Sequence, residues 1–146
     1  MAKRIETFDE FWAFYLGEHR HPFNRLLHYF GTSAGLCCLV AGGITQIWWL
    51  FLAAPIVGYG NAWFGHFIVE KNKPASFSYP GWSFMGDVKM LTYALTGRMR
   101  GEMERLYGSS HPDDDAPCLV QSIRSFAFSI PPGPRRHQRR PQTQYR

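Results

Sequence analysis

Apolar positions along the first hundred residues follow two different patterns. In residues 7–16, Phe8, Phe11, Trp12, Tyr15 and Leu16 recur at i, i+3, i+4, i+7 and i+8, one face of a helix, while Asp9, Glu10 and Glu18 occupy the other. Thr7 with Glu10 three residues on has the form of a capping box, a hydroxyl accepting from the Glu10 amide while the carboxylate reaches back. The pattern suits a helix packed on a core. It also suits an aromatic-rich amphipathic helix lying at a membrane surface. His19-Arg20-His21-Pro22 then breaks the periodicity, with Pro22 placed to open a new helix.

The second pattern is unbroken apolarity. Residues 26–45 hold no Asp, Glu, Lys or Arg and a single histidine, His28, and residues 47–69 likewise hold no Asp, Glu, Lys or Arg and a single histidine, His66. Each run is long enough, at ~1.5 Å rise per residue, to cross a ~30 Å hydrocarbon layer. Little more than Thr45-Gln46 separates them, which predicts a tight antiparallel hairpin with Trp48 and Trp49 just past its turn. The alternative is the same hairpin buried inside a soluble protein. Lys3, Arg4, Arg20 and Arg25 precede the first run and Lys71 and Lys73 follow the second, so the positive-inside rule puts both ends in the cytoplasm.

Beyond the hairpin, Pro74 and Pro80 bracket a polar-aromatic loop, and a third helix is predicted over residues 82–96, ending at Gly97. Asp87 and Lys89 make it a poor lone span, so it is expected to pack against the hairpin or to belong to a re-entrant pair. A short amphipathic stretch follows through Tyr107. From Ser109 the chain is rich in Pro, Ser and Arg and reads as disordered. The expected architecture is all-α: a small multi-pass membrane bundle built on a transmembrane hairpin, with an N-terminal amphipathic helix. Residues 1–108 form the membrane-embedded unit and residues 109–146 a disordered basic tail.

Charge changes this picture little. The formal net charge is +5, but residues 118–146 carry six Arg and no acid, leaving ten basic against eleven acidic groups in residues 1–117. A folded nucleic-acid-binding domain would carry its basic excess on its own surface, so nucleic acid is not an expected partner. The three cysteines, with Cys37 and Cys38 adjacent in an apolar run, form no disulfide framework and no CxxC motif. The N-terminus lacks the apolar h-region of a secretory signal.

The histidines carry the candidate chemistry. His28 lies 17 residues before the expected turn and His66 lies 20 after it, so the two sit within roughly 5 Å of the same depth at ~1.5 Å per residue. His19 enters from just outside that level. His66 and Glu70 are spaced i, i+4, as are Asn24 and His28, so each pair shares a helix face. Ionisable groups at membrane depth are costly and turn inward toward partners. Three His and a Glu in one layer point to a metal. Imidazole suits zinc, copper, iron or nickel, and imidazole with a carboxylate and open positions suits non-haem iron(II) chemistry. A structural zinc site, a haem held by His28 and His66, and histidines that merely satisfy one another are the alternatives. No Ser-His-Asp order, phosphate-binding Gly loop or dinucleotide fingerprint is present.

Taken together, Tyr15-x-x-x-His19, Asn24-Arg25-Leu26-Leu27-His28-Tyr29-Phe30-Gly31-Thr32, Gly65-His66-x-x-x-Glu70 with Pro74-Ala75-Ser76-Phe77, and Leu95-Thr96-Gly97-Arg98 resemble the 2-hydroxy fatty acid dioxygenase family. These are the alpha-oxidation enzymes of the yeast endoplasmic reticulum and their bacterial relatives, and the likeness spans roughly residues 5–105. It implies an integral, multi-pass protein of the endoplasmic reticulum or bacterial inner membrane. Such a protein would need Fe(2+) and would convert a long-chain 2-hydroxy fatty acid and dioxygen to the fatty acid one carbon shorter. By position, it implies His19, His28 and His66 as the essential histidines and metal ligands, with Glu70 in the same motif. Tyr15, Asn24, Arg25 and Asp87 are open candidates for orienting ligands or meeting the substrate carboxylate. The substrate supplies the electrons, so no nicotinamide, flavin or 2-oxoglutarate site is required. A non-catalytic membrane scaffold or lipid-organising protein is the competing reading.

Overall fold

A computed structural model describes residues 5–120. Among these the chain is entirely helical: α1 (Phe8–Gly17), α2 (Pro22–Thr45), α3 (Trp49–Phe64), α4 (Pro80–Leu95) and α5 (Met99–Tyr107). A π-helical turn, Gly65–Glu70, continues α3 without a break, and a single 3-10 turn, Ala75–Phe77, precedes α4.

Local sequence accounts for most of the helix ends. Thr7 Oγ1 accepts the Glu10 amide at 3.2 Å, as expected. The returning Glu10 carboxylate meets the amide of Glu6 at 3.3 Å, so the box closes one residue early. Pro22 occupies the first turn of α2 behind His21, whose ring Nδ1 accepts the Phe23 amide at 3.2 Å. Gln46 ends α2 in the left-handed region (φ 56), and Gly97 (φ 69) and Gly108 (φ 77) end α4 and α5 in the conformation glycine adopts at least cost.

α1 is a core helix. Its Phe11, Trp12, Tyr15 and Leu16 are buried with Met90 of α4 and Met99, Met103, Leu106 and Tyr107 of α5. Trp12 Nε1 donates to Glu102 at 2.8 Å and the Tyr107 hydroxyl donates to the Ala13 carbonyl at 2.6 Å. Of the two settings open to an aromatic amphipathic helix, the protein interior is the one adopted. Both charged residues of α4 turn toward α1: the Tyr15 hydroxyl donates to Asp87, and the Lys89 ammonium sits 4.3 Å from the centre of the Trp12 ring.

α2 and α3 pack antiparallel with their backbones close together. A Cβ added at Gly31 would lie 3.0 Å from the Gly58 carbonyl oxygen, and one at Gly35 would lie 3.1 Å from that of Ala54. Close approach through small residues is how helices gain dispersion contacts where the hydrophobic effect does not drive them together. The outer surface of this pair is apolar and uncovered: Ile44 is 79% exposed, Ile56 72% and Trp48 70%. α2 is the one helix among the described residues long and apolar enough to cross a membrane. α3 holds no charged residue, but it is only 16 residues of regular α-helix before the π turn.

Residues 109–120 return to the body, although they belong to the stretch expected to be disordered. Arg20 donates to the carbonyls of Asp113 and Ala116, and Arg25 donates to that of Ser110 at 3.1 Å. Backbone carbonyls are recruited here, which the composition of the segment does not advertise. The Arg-rich remainder, residues 121–146, lies outside the described residues.

Candidate metal centre

Three segments distant in sequence place one imidazole each in a single buried cluster. His19 follows the end of α1, His28 lies two turns into α2 and His66 sits on the π turn, and all three are buried. One ring nitrogen from each lies within 4.8 Å of the others. The ring centres are 4.3 Å (His19–His28), 4.6 Å (His19–His66) and 5.1 Å (His28–His66) apart, each pair close to perpendicular.

The other nitrogen of each ring is committed to an oxygen. His19 Nδ1 donates to the Tyr15 carbonyl at 2.6 Å, which can only accept. His28 Nδ1 donates to the Asp87 carboxylate at 2.6 Å, and the same oxygen accepts the Tyr15 hydroxyl at 2.6 Å. His66 Nδ1 donates to Asn72 Oδ1 at 2.7 Å. The amide nitrogen of Asn72 is spent on the Glu18 carbonyl (3.0 Å) and carboxylate (2.9 Å), which leaves its oxygen facing the ring. With every Nδ1 protonated, a neutral ring carries its lone pair on Nε2. His19 and His28 therefore aim two Nε2 lone pairs at each other across 3.1 Å, a contact with no hydrogen between acceptors.

Such a contact is stable only when a cation, a proton or a metal, stands between the rings. Protonation is opposed at His19: burial, and then the neighbouring His28 and His66, hold its pKa well below the usual value. A metal fits the donor set. Imidazole–metal bonds of about 2.0–2.1 Å meeting at a right angle put two nitrogens about 2.9 Å apart; the His19–His28 pair is 3.1 Å apart, and the three donors lie within 4.8 Å of one another. An oxygen behind each ligating ring is the usual outer support of a metal site, fixing tautomer and ring orientation. Burial, and then the Asp87 carboxylate, push the Tyr15 hydroxyl well above the usual tyrosine range, so Tyr15 stays a proton donor to Asp87.

Glu70 is not in the cluster. Its Oε1 accepts from the His21 amide at 2.7 Å and from Asn24 Nδ2 at 3.2 Å. It thus satisfies free amides at the start of α2, where a carboxylate also meets the positive end of the helix dipole. Its helical spacing from His66 is real, but the π turn carries Glu70 to α2. Arg25 and Asn24 also act on the scaffold. Arg25 Nη1 donates to the carbonyls of His19 (2.9 Å) and Arg20 (2.6 Å), clamping the loop that carries the first histidine.

Asp87 had one visible sign, an acid inside a mostly apolar helix. Asn72 had none, because Lys71-Asn72-Lys73 reads as a solvated linker; Lys71 in the left-handed region (φ 57) is what folds Asn72 back onto His66.

Residues 5–99 match the family model described as 2-hydroxy-palmitic acid dioxygenase, Mpo1-like. The chain belongs to this family. No curated protein and no solved structure gives a significant match. The matched span takes in α1 to α4, and with them all three clustered histidines of this Mpo1-like chain and the oxygens behind them.

Proposed function

We propose that this Mpo1-like chain is an iron(II)-dependent dioxygenase that shortens a long-chain 2-hydroxy fatty acid by one carbon. The observation that carries the reading is the buried convergence of His19, His28 and His66 with their Nδ1 atoms already engaged. The family name supplies the substrate class. The reaction balances without an added reductant: R–CH(OH)–COOH and O2 give R–COOH, CO2 and H2O, with all four electrons drawn from the substrate.

His19, His28 and His66 hold the metal, and Glu70 does not. Bound iron(II) supplies Lewis acidity and a route for electrons from substrate to dioxygen. The protein's part is positional. Tyr15 and Asp87 fix the His28 ring, the Tyr15 carbonyl fixes His19, and Asn72 fixes His66, so the tautomer and orientation of each ring would be set before metal arrives. Burial of the rings excludes bulk water from the reacting centre.

The protein works in a bilayer, with α2 as one span and α3 with its π turn as the second, both termini on the cytoplasmic side, and residues 1–108 as the embedded unit. The uncovered apolar surface of α2 and α3 supports this, since a soluble monomer rarely exposes a contiguous face of that kind. Depth then places the histidines near the headgroups, where the carboxylate of a fatty acid lies.

The test is metal analysis and turnover on the full-length protein purified in detergent. Wild type is expected to carry iron and to convert 2-hydroxypalmitate to pentadecanoate, and His28→Ala and His66→Ala to lose both. Full activity in His66→Ala overturns the assignment.

A further inference from the structure

A groove of about 180 Å³ runs between α2, α3 and α4 from the histidine cluster toward the middle of the helix pair. Its polar lining is confined to His28, Thr32, Tyr59 and Asp87. The other walls are small or apolar: Gly31, Gly35, Ala54 and Gly58 give it width, Phe84 lines it from α4, and Leu36 and Leu39 lie farthest from His28 along α2. Eleven residues of α2 separate His28 from Leu39, which is about 16 Å at ~1.5 Å per residue. A zig-zag of ~1.5 Å carbon–carbon bonds advances about 1.25 Å per carbon, so that length takes about 13 carbons.

At its histidine end the groove shares His28, Tyr59, Ala62 and Asp87 with a second, much smaller chamber of about 10 Å³. Ser83 lines that chamber together with His66. The Ser83 hydroxyl is buried and has no hydrogen-bond partner among the described residues. A buried hydroxyl without a partner is an uncommon, costly feature, and a ligand oxygen would satisfy it.

We propose that the groove holds the alkyl chain of the 2-hydroxy acid, that Ser83 donates to its carboxylate, and that the Leu36–Leu39 end sets the longest chain accepted. The inference rests on the dioxygenase reading above for the identity of the headgroup. The groove itself selects the tail. It is continuous with the metal centre at one end and almost free of hydrogen-bonding groups at the other. That is the lining an acyl chain needs, and one in which a polar substrate would leave its own groups unpaired. The chain would enter sideways from the bilayer, between α2, α3 and α4, with its head already at the depth of the histidines.

Two substitutions narrow the groove without disturbing packing elsewhere. Leu39 is 40% exposed, so Leu39→Trp has room to swing across the far end. Leu36 lies eight residues, about 12 Å, from His28, beyond the reach of an eight-carbon acid, and is 37% exposed, so Leu36→Trp has room to close the groove one turn earlier. The measurement is the ratio of kcat/KM for 2-hydroxypalmitate over 2-hydroxyoctanoate, in iron-loaded full-length protein in nanodiscs. It is expected to fall by about tenfold or more in each variant, since a single misfitting methylene is worth about that in an apolar pocket. An unchanged ratio in both variants overturns the proposal.

Photolabelling separates this proposal from the dioxygenase reading because it needs no turnover. The probe is 2-hydroxypalmitate carrying a diazirine near its methyl end. It is expected to label peptides containing Leu36 or Leu39, with loss of labelling in the presence of excess 2-hydroxypalmitate. Labelling of this kind in a protein that turns nothing over upholds the groove and sinks the dioxygenase. Labelling spread over the outer faces of α2 and α3, or displaced equally well by phospholipid, overturns the groove.

Discussion

Replacing Asp87 by Asn tests whether the metal centre depends on charge behind the ligating ring. In the native protein one carboxylate oxygen accepts from both His28 Nδ1 and the Tyr15 hydroxyl at 2.6 Å. An amide oxygen could still take both hydrogen bonds, so Asp87→Asn keeps the geometry and removes the negative charge behind the His28 ring. Hydrogen bonds to a charged group contribute about 1.5–3 kcal/mol and neutral ones about 1 kcal/mol. The difference, roughly 1–2 kcal/mol, is about a tenfold loss of iron affinity, at the lower end of the 10–100-fold typical for outer partners of metal-bound histidine. Asp87→Ala goes further, leaving two buried donors unsatisfied at about 1–3 kcal/mol each, and is expected to lower thermal stability even without metal. Iron affinity measured by chelator competition, alongside melting of the metal-free protein in detergent, separates the two effects. Wild-type affinity in Asp87→Asn would refute the argument and leave Asp87 as a packing residue that happens to touch His28.

Three further outcomes follow from the scaffold. Gly35→Leu forces a side chain against the Ala54 carbonyl, where even a Cβ would be only 3.1 Å away; it should cost about 1–3 kcal/mol by overpacking, whereas Gly43→Ala, which lies on the same helix and meets nothing within 4 Å, should raise the melting temperature slightly. Arg25→Met removes the donors that hold the His19 and Arg20 carbonyls and the Ser110 carbonyl, so iron stoichiometry and melting temperature should fall together; a fall in melting temperature alone would show that the His19 loop keeps its position without the clamp. The Arg105 guanidinium, and then the Trp12 indole, hold the Glu102 carboxyl below its ordinary pKa. A depressed acid contributes stability above its unfolded pKa and loses it as pH falls through the folded one, so wild type should lose melting temperature between about pH 5 and pH 3, and Glu102→Gln should show a shallower loss over the same window.

The fold divides its work between two kinds of packing. α1, α4 and α5 share a close-packed aromatic and methionine core like that of a water-soluble protein, while α2 and α3 press backbone to backbone and leave their large apolar side chains outside. The histidines lie where these two parts join: His19 comes from the end of α1, His28 and His66 from the helix pair, and Asp87 from α4. A site built across such a seam takes its acids and amides from the cored part and its apolar approach from the other.

Much of this was legible in the chain because it depends on local chemistry. The starts of α1 and α2 follow from Thr7 and Pro22, the ends of α4 and α5 coincide with Gly97 and Gly108, and the charge-free runs on either side of Thr45-Gln46 become α2 and α3. The convergence of His19, His28 and His66 was also within reach, since two antiparallel helices of known rise turn sequence distance into depth. Tertiary structure alone decided what stands behind each ring. Whether Glu70 joins the histidines or caps α2 depends on a π turn that no residue spacing announces. Asn72 reaches His66 only because a left-handed Lys71 reverses the chain, and Asp87 reaches His28 only because α4 lies against α2. Periodicity fixes which way a side chain leaves its own helix. The partner it meets depends on how separate helices pack, and that is a property of the whole chain.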